Sequence, residues 1–432
     1  MSHYSLVIIG AGAAGLGASE LASQRGLDHV VLEASHRTGG RGLTEMLSGK
    51  YPVDLGCHWM HSATVNPYVQ WADKLGYSYE TGESVATPKT SLQIGNEVSE
   101  THTNDVTLFE EKPSMFFNGQ WLTEADEREY AGFLSEFEGR VENAGKTARD
   151  CSLWDVMEQK SRWSHYQAYW LSLLHSNDPD QVSVSDRLDY FETHEDYPLQ
   201  DGYGALISEQ GKQCPVELNT VVKNIDWSGS LIRVETNKGQ ITANKIILTV
   251  STGVLGSNEI TFVPALPVNK LEAIHALPMG NYNNLFFCLD DIDSDVPPFI
   301  QYSNGETSGL MMMQPFGHPY VVTFVAGRFA WWFEKQGAKA EEQYFREQLI
   351  DVFGSNFGKK TRQFKSSAWG YDPWVKGAYS SVTPGHGDAR RVLAETVGEK
   401  LYFAGEATSQ DALNTAHGAY LSGKCAVSEA FG

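Results

Sequence analysis

Leu6-Val7-Ile8-Ile9-Gly10-Ala11-Gly12-Ala13-Ala14-Gly15 is the stretch whose reading decides the fold. The apolar run Leu6–Ile9 reads as a buried strand, and the helical pattern from Leu16 to Gln24 begins as soon as the glycines end. Gly26 breaks that helix, His29-Val30-Val31-Leu32 reads as a second strand, and Glu33 closes it. In a strand–turn–helix of this kind each glycine has a mechanical task. Gly10 makes the tight turn, Gly12 admits a close approach of phosphate to backbone N–H groups, and Gly15 lets helix and strand pack closely. The start of the helix, at Ala13 and Ala14, then turns unpaired N–H groups and a partial positive charge toward a pyrophosphate. Glu33 follows Gly15 at close to the roughly 20 positions expected of the carboxylate that takes a ribose hydroxyl pair. A carboxylate there disfavours a 2′-phosphate, which leaves NAD or FAD as the expected dinucleotide.

The residues that follow narrow the choice. Glu33-Ala34 leads into Arg37-Thr38-Gly39-Gly40-Arg41, and then Val53-Asp54-Leu55-Gly56-Cys57-His58-Trp59-Met60-His61. A glycine doublet lets the chain pass close to a phosphate, and Arg41 supplies a planar cationic fork for it. Here the sequence resembles the flavin-dependent amine oxidases, the family of polyamine oxidases, monoamine oxidases and flavin histone demethylases. In that family an E-A-x-x-R-x-G-G-R run wraps the FAD pyrophosphate, and a D-x-G-x-x-W stretch lies beside the flavin. The resemblance therefore places Glu33, Ala34, Gly40, Arg41, Gly56, Cys57, His58 and Trp59 against FAD. It implies an α/β fold with a Rossmann-type FAD-binding domain and an inserted α+β substrate domain. Residues 1–80, 201–283 and 390–432 are expected to bind FAD, and residues 81–200 and 284–389 the substrate.

At 432 residues the chain is long enough for two lobes with proper cores. Mean hydropathy is −0.33, and no apolar stretch approaches the roughly 18 residues of a membrane helix. The apolar N-terminus belongs to the nucleotide turn and lacks the basic region and cleavage site of a signal peptide. The five cysteines are scattered with no CxxC spacing, which argues against a disulfide framework or a zinc site and for a reducing, cytoplasmic compartment. Net charge is −21, carried by clusters such as Glu110-Glu111, Asp290-Asp291 and Glu341-Glu342. Such a field attracts cationic substrates, although ordinary solubility is the favoured account of it, and with no basic stripe it argues against a nucleic-acid partner.

Along the chain, Asn66-Pro67 opens a helix from Tyr68 to Leu75, and helical periodicity marks Glu124–Val141 and Leu153–Leu174. Trp154, Trp163, Tyr166, Tyr169 and Trp170 read as core packing. Short strands at Glu217–Val222, Leu231–Glu235, Gln240–Ala243 and Lys245–Val250 form a meander. Alternating runs at Leu285–Leu289, Phe299–Tyr302, Leu310–Gln314 and Tyr320–Ala326 predict a mainly antiparallel sheet, followed by a helix at Ala338–Phe353. Lys400–Ala404 reads as a strand, Gly405-Glu406 as a turn, and His417-Gly418-Ala419 as the opening of the last helix. By resemblance, Val222 meets the adenine through its backbone, Gly405 and Glu406 lie at the ribityl-phosphate, and Thr415-Ala416 at the flavin ring.

The chemistry is expected in Trp369-Gly370-Tyr371-Asp372-Pro373-Trp374-Val375-Lys376-Gly377-Ala378-Tyr379. It resembles the family segment in which a Trp covers the flavin and a Tyr walls the amine cage, roles that fall to Trp374 and Tyr379. An aromatic wall attracts a cationic amine and desolvates it, which lowers its pKa and frees the nitrogen lone pair. Thr415 stands where monoamine oxidases have the second cage tyrosine; no cysteine lies between Pro373 and Tyr379, so FAD is expected to be noncovalent. His61 matches the W-x-H-G histidine of animal polyamine oxidases and is expected to position the substrate nitrogen. Trp59 stands where amino-acid oxidases have an arginine for the substrate carboxylate, which argues against α-amino acids. Asn284 replaces the family lysine that supports reoxidation by oxygen, so slow oxygen reactivity or another electron acceptor is expected. The resulting expectation is oxidation of a polyamine-like or other amine to an imine by hydride transfer to flavin N5, with no metal. Two other classes stay open: an FAD-dependent desaturase or dehydrogenase acting on a non-amine, and a flavoprotein that has lost catalysis.

Overall fold

The computed structural model describes residues 2–81, 114–147, 150–290 and 296–432. Its first strand, His3–Ile9, runs parallel to His29–Leu32 on one side and to Gly239–Leu248 on the other. Side chains of a strand alternate between faces, and a parallel strand in a sheet covered on both sides reads as a continuous apolar run. Val7 and Ile9 accordingly join one core with Val30, Leu32, Ile246 and Leu248. Leu6 and Ile8 join another with Val31, Ile247 and Tyr402. Among the described residues this sheet has eight strands. Thr261–Val263, Val222–Asp226 and Ile232–Thr236 extend it beyond Gly239–Leu248, Val216–Glu217 extends it beyond His29–Leu32, and Leu401–Phe403 pairs with the end of Gly239–Leu248.

Two helices cover the second face. Ala13–Gln24 and Ala416–Phe431 approach closely because their contact is built from small residues. A Cβ on Gly423 would lie 1.9 Å from the Ala14 carbonyl oxygen, and one on Gly17 would lie 2.4 Å from that of Tyr420. Only glycine fits either position.

A second sheet of seven strands runs in the order Thr361–Ser366, Tyr282–Leu289, Tyr320–Ala326, Ser308–Met313, Phe299–Ser303, Ser114–Phe117, Gln120–Trp121. It is antiparallel throughout except where Phe299–Ser303 meets Ser114–Phe117. The helices Gly327–Gln336 and Ala338–Phe353 pack on one face through Ala330, Phe333, Phe345 and Leu349. Its other face, with Phe286, Leu310, Val322 and Phe324, packs against Trp59 and Leu173.

Most of the expected elements occur where the sequence places them. Asn66 caps the helix Pro67–Leu75 by accepting from the Tyr68 N–H at 3.0 Å. The long helix Glu124–Gly145 starts at a capping box of Thr123 and Asp126. Three expectations need correction. The pattern over Leu153–Leu174 is two helices, Leu153–Val156 and Ser164–His175, because Met157 is extended and the Ser152 capping box supports a single short turn. Glu217–Val222 is not one strand: Asn219, at φ 54°, turns the chain so that Val216–Glu217 and Val222–Asp226 lie at opposite sides of the sheet. The runs at 240–243 and 245–250 are one strand, Gly239–Leu248, which changes partners along its length. Glu110, Glu111 and Asp291 lie outside the described residues.

Candidate functional site

A cavity of about 580 Å³ runs between the two sheets. Ile9, Gly10 and Gly12 form one end, followed by Ala13 and Ala14 at the start of the first helix. That helix has Gly12 as its N-cap, with no side chain capping it and no acidic residue in its first turn. Its leading N–H groups therefore have no intrahelical partner and face the cavity. Gly15 does not line the cavity; a Cβ there would fall 1.9 Å from the Gly10 carbonyl oxygen, so it sets the strand–helix approach. Gly40, at φ 56°, brings the second glycine loop against Gly12, where a Cβ on Gly40 would lie 3.1 Å from the Gly12 Cα.

Glu33 is buried, and its carboxylate accepts from the Ala11 N–H at 2.7 Å and the Ser35 N–H at 2.8 Å. These two bonds fix the carboxylate at the cavity edge beside Ala34, Thr220, Val221 and Val222. Arg37, the first arginine of the same run, ties the loop by donating to the carbonyls of Thr38, Gly40 and Gly42. Arg41 donates through Nη1 to the Ala378 carbonyl at 2.7 Å and to Glu406 Oε1 at 2.8 Å. Gly405 and Glu406 line the same wall, and Glu406 also accepts from Ser380 Oγ at 2.8 Å. Thr415 caps the last helix: its hydroxyl accepts from the Gly418 N–H at 3.0 Å and donates to the Ala412 carbonyl at 2.8 Å. Ala416 follows at the cavity wall, so a second helix N-terminus faces the cavity.

An uncapped helix N-terminus, a glycine cradle with no room for side chains and an arginine offer donors to a dinucleotide pyrophosphate, and a fixed carboxylate offers an acceptor to its ribose hydroxyls. The residues present fit FAD.

The remaining walls are aromatic. Trp59, Trp170, Tyr282, Phe324, Trp369, Trp374 and Tyr379 line the cavity with Gly56, Cys57 and His58. Trp369 is held by donating its indole N–H to the Leu55 carbonyl at 2.7 Å. The Tyr379 hydroxyl donates to the Leu173 carbonyl, and its ring lies 5.9 Å from that of Tyr282. Burial pushes the Tyr379 phenol far above its ordinary range, so it stays neutral. Trp374 is half exposed at the cavity edge. Gly56 admits no side chain, since a Cβ would lie 1.7 Å from the Arg41 carbonyl oxygen. Tyr282, Phe324 and Trp170 escaped the sequence reading. Trp170 was expected in the core, and the other two sit in strands whose alternation does not reveal which face borders a cavity.

Three histidines behave differently. Burial pushes His58 down to about 4, and its ring stacks on Phe324 with centroids 5.5 Å apart. His417 falls to about 4 through burial and the nearby His61. Burial also opposes charge on His61, but the Asp196 carboxylate, 3.0 Å from its Nδ1, outweighs this and raises it to about 9. Glu192 lies beside this pair, and among the described residues His61, Glu192 and Asp196 are grouped closely enough to share a small ligand.

Asn284 is buried and lies outside the cavity lining. Its Nδ2 donates to the Asp54 carbonyl at 2.7 Å and the Gly56 carbonyl at 3.3 Å, bracing the segment that carries Cys57 to Trp59. Its Oδ1 has no protein partner.

A family model described as flavin containing amine oxidoreductase matches residues 13–430. The chain is 26% identical over 454 residues to lysine-specific histone demethylase 2 of Homo sapiens, covering 97% of this chain and 52% of that one. It is 27% identical over 441 residues to probable polyamine oxidase 4 of Arabidopsis thaliana, covering 97% and 85%. The chain thus spans about half the length of the demethylase and most of the length of the polyamine oxidase. A solved structure of a putrescine oxidase redesigned in its cofactor binding has the same fold, with a TM-score of 0.78, 15% identity and 99% of each chain covered. No helix among the described residues is long and apolar enough to cross a membrane. The chain belongs to the flavin-containing amine oxidoreductases, a family of FAD-dependent enzymes.

Proposed function

We propose that the protein oxidises an amine to an imine at the aromatic end of the cavity, with FAD held noncovalently at the glycine-loop end. The observation that carries this reading is the continuity of one cavity from the bare helix N-terminus at Ala13 to Trp374 and Tyr379. Bound FAD supplies a two-electron acceptor for the hydride that leaves the carbon α to nitrogen. The chain's residues do the rest. Aromatic faces attract the ammonium form as it enters, and desolvation between them favours loss of its proton. The neutral amine has the lone pair that becomes the C=N bond when the hydride departs. His61, with its proton held by Asp196, is assigned to orient the substrate nitrogen rather than to accept its proton. In this reading residues 1–80, 201–283 and 390–432 hold the cofactor and residues 81–200 and 284–389 the substrate.

In this reading Asn284 makes oxygen a poor acceptor. A neutral amide already donating to two backbone carbonyls brings no positive charge to an oxygen molecule gaining electrons. Slow reaction with oxygen, or turnover with another acceptor, follows. The test is an anaerobic titration of the FAD-loaded protein with diamines, polyamines, N-acylated amines and aromatic amines, followed by air. Bleaching of the visible flavin band by at least one amine is expected. A flavin that no amine bleaches, but that a non-amine alkane or alcohol does, would move the protein to the desaturase class.

A further inference from the structure

Beside the aromatic walls, the cavity carries two buried polar groups that the amine chemistry leaves without a task. His175 ends the helix Ser164–His175 and lines the cavity at 3% exposure. Neither of its ring nitrogens has a hydrogen-bond partner in the protein. Arg187 lines the same cavity at 4% exposure; its Nη2 donates to Glu138 at 3.1 Å, but its Nε–H has no partner. A buried polar group left without a partner is costly, and more so when charged, so two of them lining one cavity point to a ligand that meets them. Their place is next to the amine cage. Tyr379 donates to the Leu173 carbonyl and its own carbonyl accepts from Ser176 Oγ at 2.7 Å, so His175 sits in the segment to which the cage tyrosine is bound.

The charges around His175 select the ligand. Burial drives its proton off, to about 3, with Arg187 and Arg390 adding to this and Asp186 opposing. Arg390 and Asp186 already form a buried ion pair at 2.6 Å, and Arg187 is held through Nη2 by Glu138, which leaves the Arg187 Nε–H as the free donor beside the ring. A neutral imidazole still offers one N–H, and Arg187 offers its Nε–H. A second ammonium would find one acceptor nitrogen and leave the Nε–H unmet. A carboxylate would accept from both.

We infer that His175 and Arg187 form a carboxylate subsite, so that the preferred substrate is an amine bearing a carboxylate rather than a plain diamine or polyamine. This rests on the amine-oxidising reading above and names the substrate class within it.

The test uses the FAD-loaded protein and straight-chain alkanoates, which carry the carboxylate but no oxidisable nitrogen. Binding is followed by the visible flavin band and by the imidazole nitrogen resonances of His175. Saturable binding that shifts His175 is expected. Arg187→Gln and His175→Asn should each weaken it about ten- to a hundredfold, the loss of one hydrogen bond to a charged group. Glu138→Gln, which removes the competing carboxylate from the outer side of Arg187, should tighten it. Amino acids whose amine and carboxylate are separated by several methylenes should bleach the flavin at lower concentration than diamines of the same length. Absence of saturable alkanoate binding, or binding that Glu138→Gln weakens, overturns the subsite. Alkanoate binding does not pass through amine oxidation. A protein that binds alkanoates but is bleached by no amine therefore keeps the subsite and loses the amine reading, and a protein bleached by amines that ignores alkanoates does the reverse.

Discussion

Arg41 and Glu406, 365 positions apart in the chain, meet at 2.8 Å, and Glu406 is almost fully buried. Through this pair the glycine loop at Gly39-Gly40 is clasped to the strand end at Phe403-Ala404 and, by the Ala378 carbonyl, to the loop that carries Trp374 and Tyr379. The ion pair therefore joins the three segments that close around the cofactor end of the cavity.

Arg41→Gln is expected to raise the dissociation constant for FAD about ten- to a hundredfold, since a charge-assisted bond is lost and Glu406 keeps a buried charge with less compensation. Equilibrium dialysis against free FAD measures this directly. Unchanged affinity would remove Arg41 from the cofactor site.

Gly15→Ala and Gly26→Ala separate packing from conformation. A Cβ at Gly15 meets the Gly10 carbonyl oxygen at 1.9 Å, whereas Gly26, at φ 67°, has nothing within 4 Å. The first substitution should destabilise by more than about 3 kcal/mol and abolish yellow protein. The second should cost about 1 kcal/mol, the penalty of a left-handed residue with a side chain. Denaturant unfolding and the visible spectrum read both.

His61 gives stability a pH dependence with a defined sign. Its folded-state value of about 9 lies above the ordinary 6.5, so the folded protein holds the proton more tightly than the unfolded chain. The resulting stabilisation is complete below pH 6.5 and is lost as pH rises through 9. The gap in melting temperature between the wild type and His61→Asn should be widest below pH 6.5 and close above pH 9. A gap that widens toward alkaline pH contradicts the His61–Asp196 pairing.

Asn284 carries two separable expectations. Asn284→Leu removes the donor to the buried Asp54 and Gly56 carbonyls and should destabilise by about 2–4 kcal/mol. Asn284→Lys should raise the rate at which air restores the flavin colour after anaerobic bleaching, read by stopped flow. An unchanged rate counts against the role assigned to this position.

Trp374→Ala should raise the KM for amine about threefold to thirtyfold with a smaller effect on turnover at saturation, because a half-exposed indole acts on an arriving cation. Steady-state kinetics over a range of amine concentrations separates the two effects.

What the sequence reveals and what it conceals have physical causes. The turn at Gly10–Gly15 is legible because its strand, its glycines and its helix are adjacent and each constrains the next. The helix at Pro67–Leu75 is legible because Asn66-Pro67 is a local start signal. The break after Val156 and the turn at Asn219 are not, since Met157 leaves its helix extended and Asn219 adopts φ 54°, conformations settled by packing rather than by a local signal. His175 and Arg187 are hidden for the same reason. Their importance lies in lacking partners inside a cavity whose other walls come from segments hundreds of residues away. Trp170 carries helical periodicity identical to that of its buried neighbours Trp163 and Tyr166, and only the packing tells them apart.

The central place of His3–Ile9 in its sheet has a consequence for biosynthesis. One of its two flanking strands, Gly239–Leu248, leaves the ribosome more than two hundred residues later. The stretch is thus translated early and seated late, with an unpaired apolar edge in the interval. A pulse of protease or a chaperone trap applied to nascent chains shorter than about 250 residues should find this segment open. Chains long enough to expose Gly239–Leu248 should close over it.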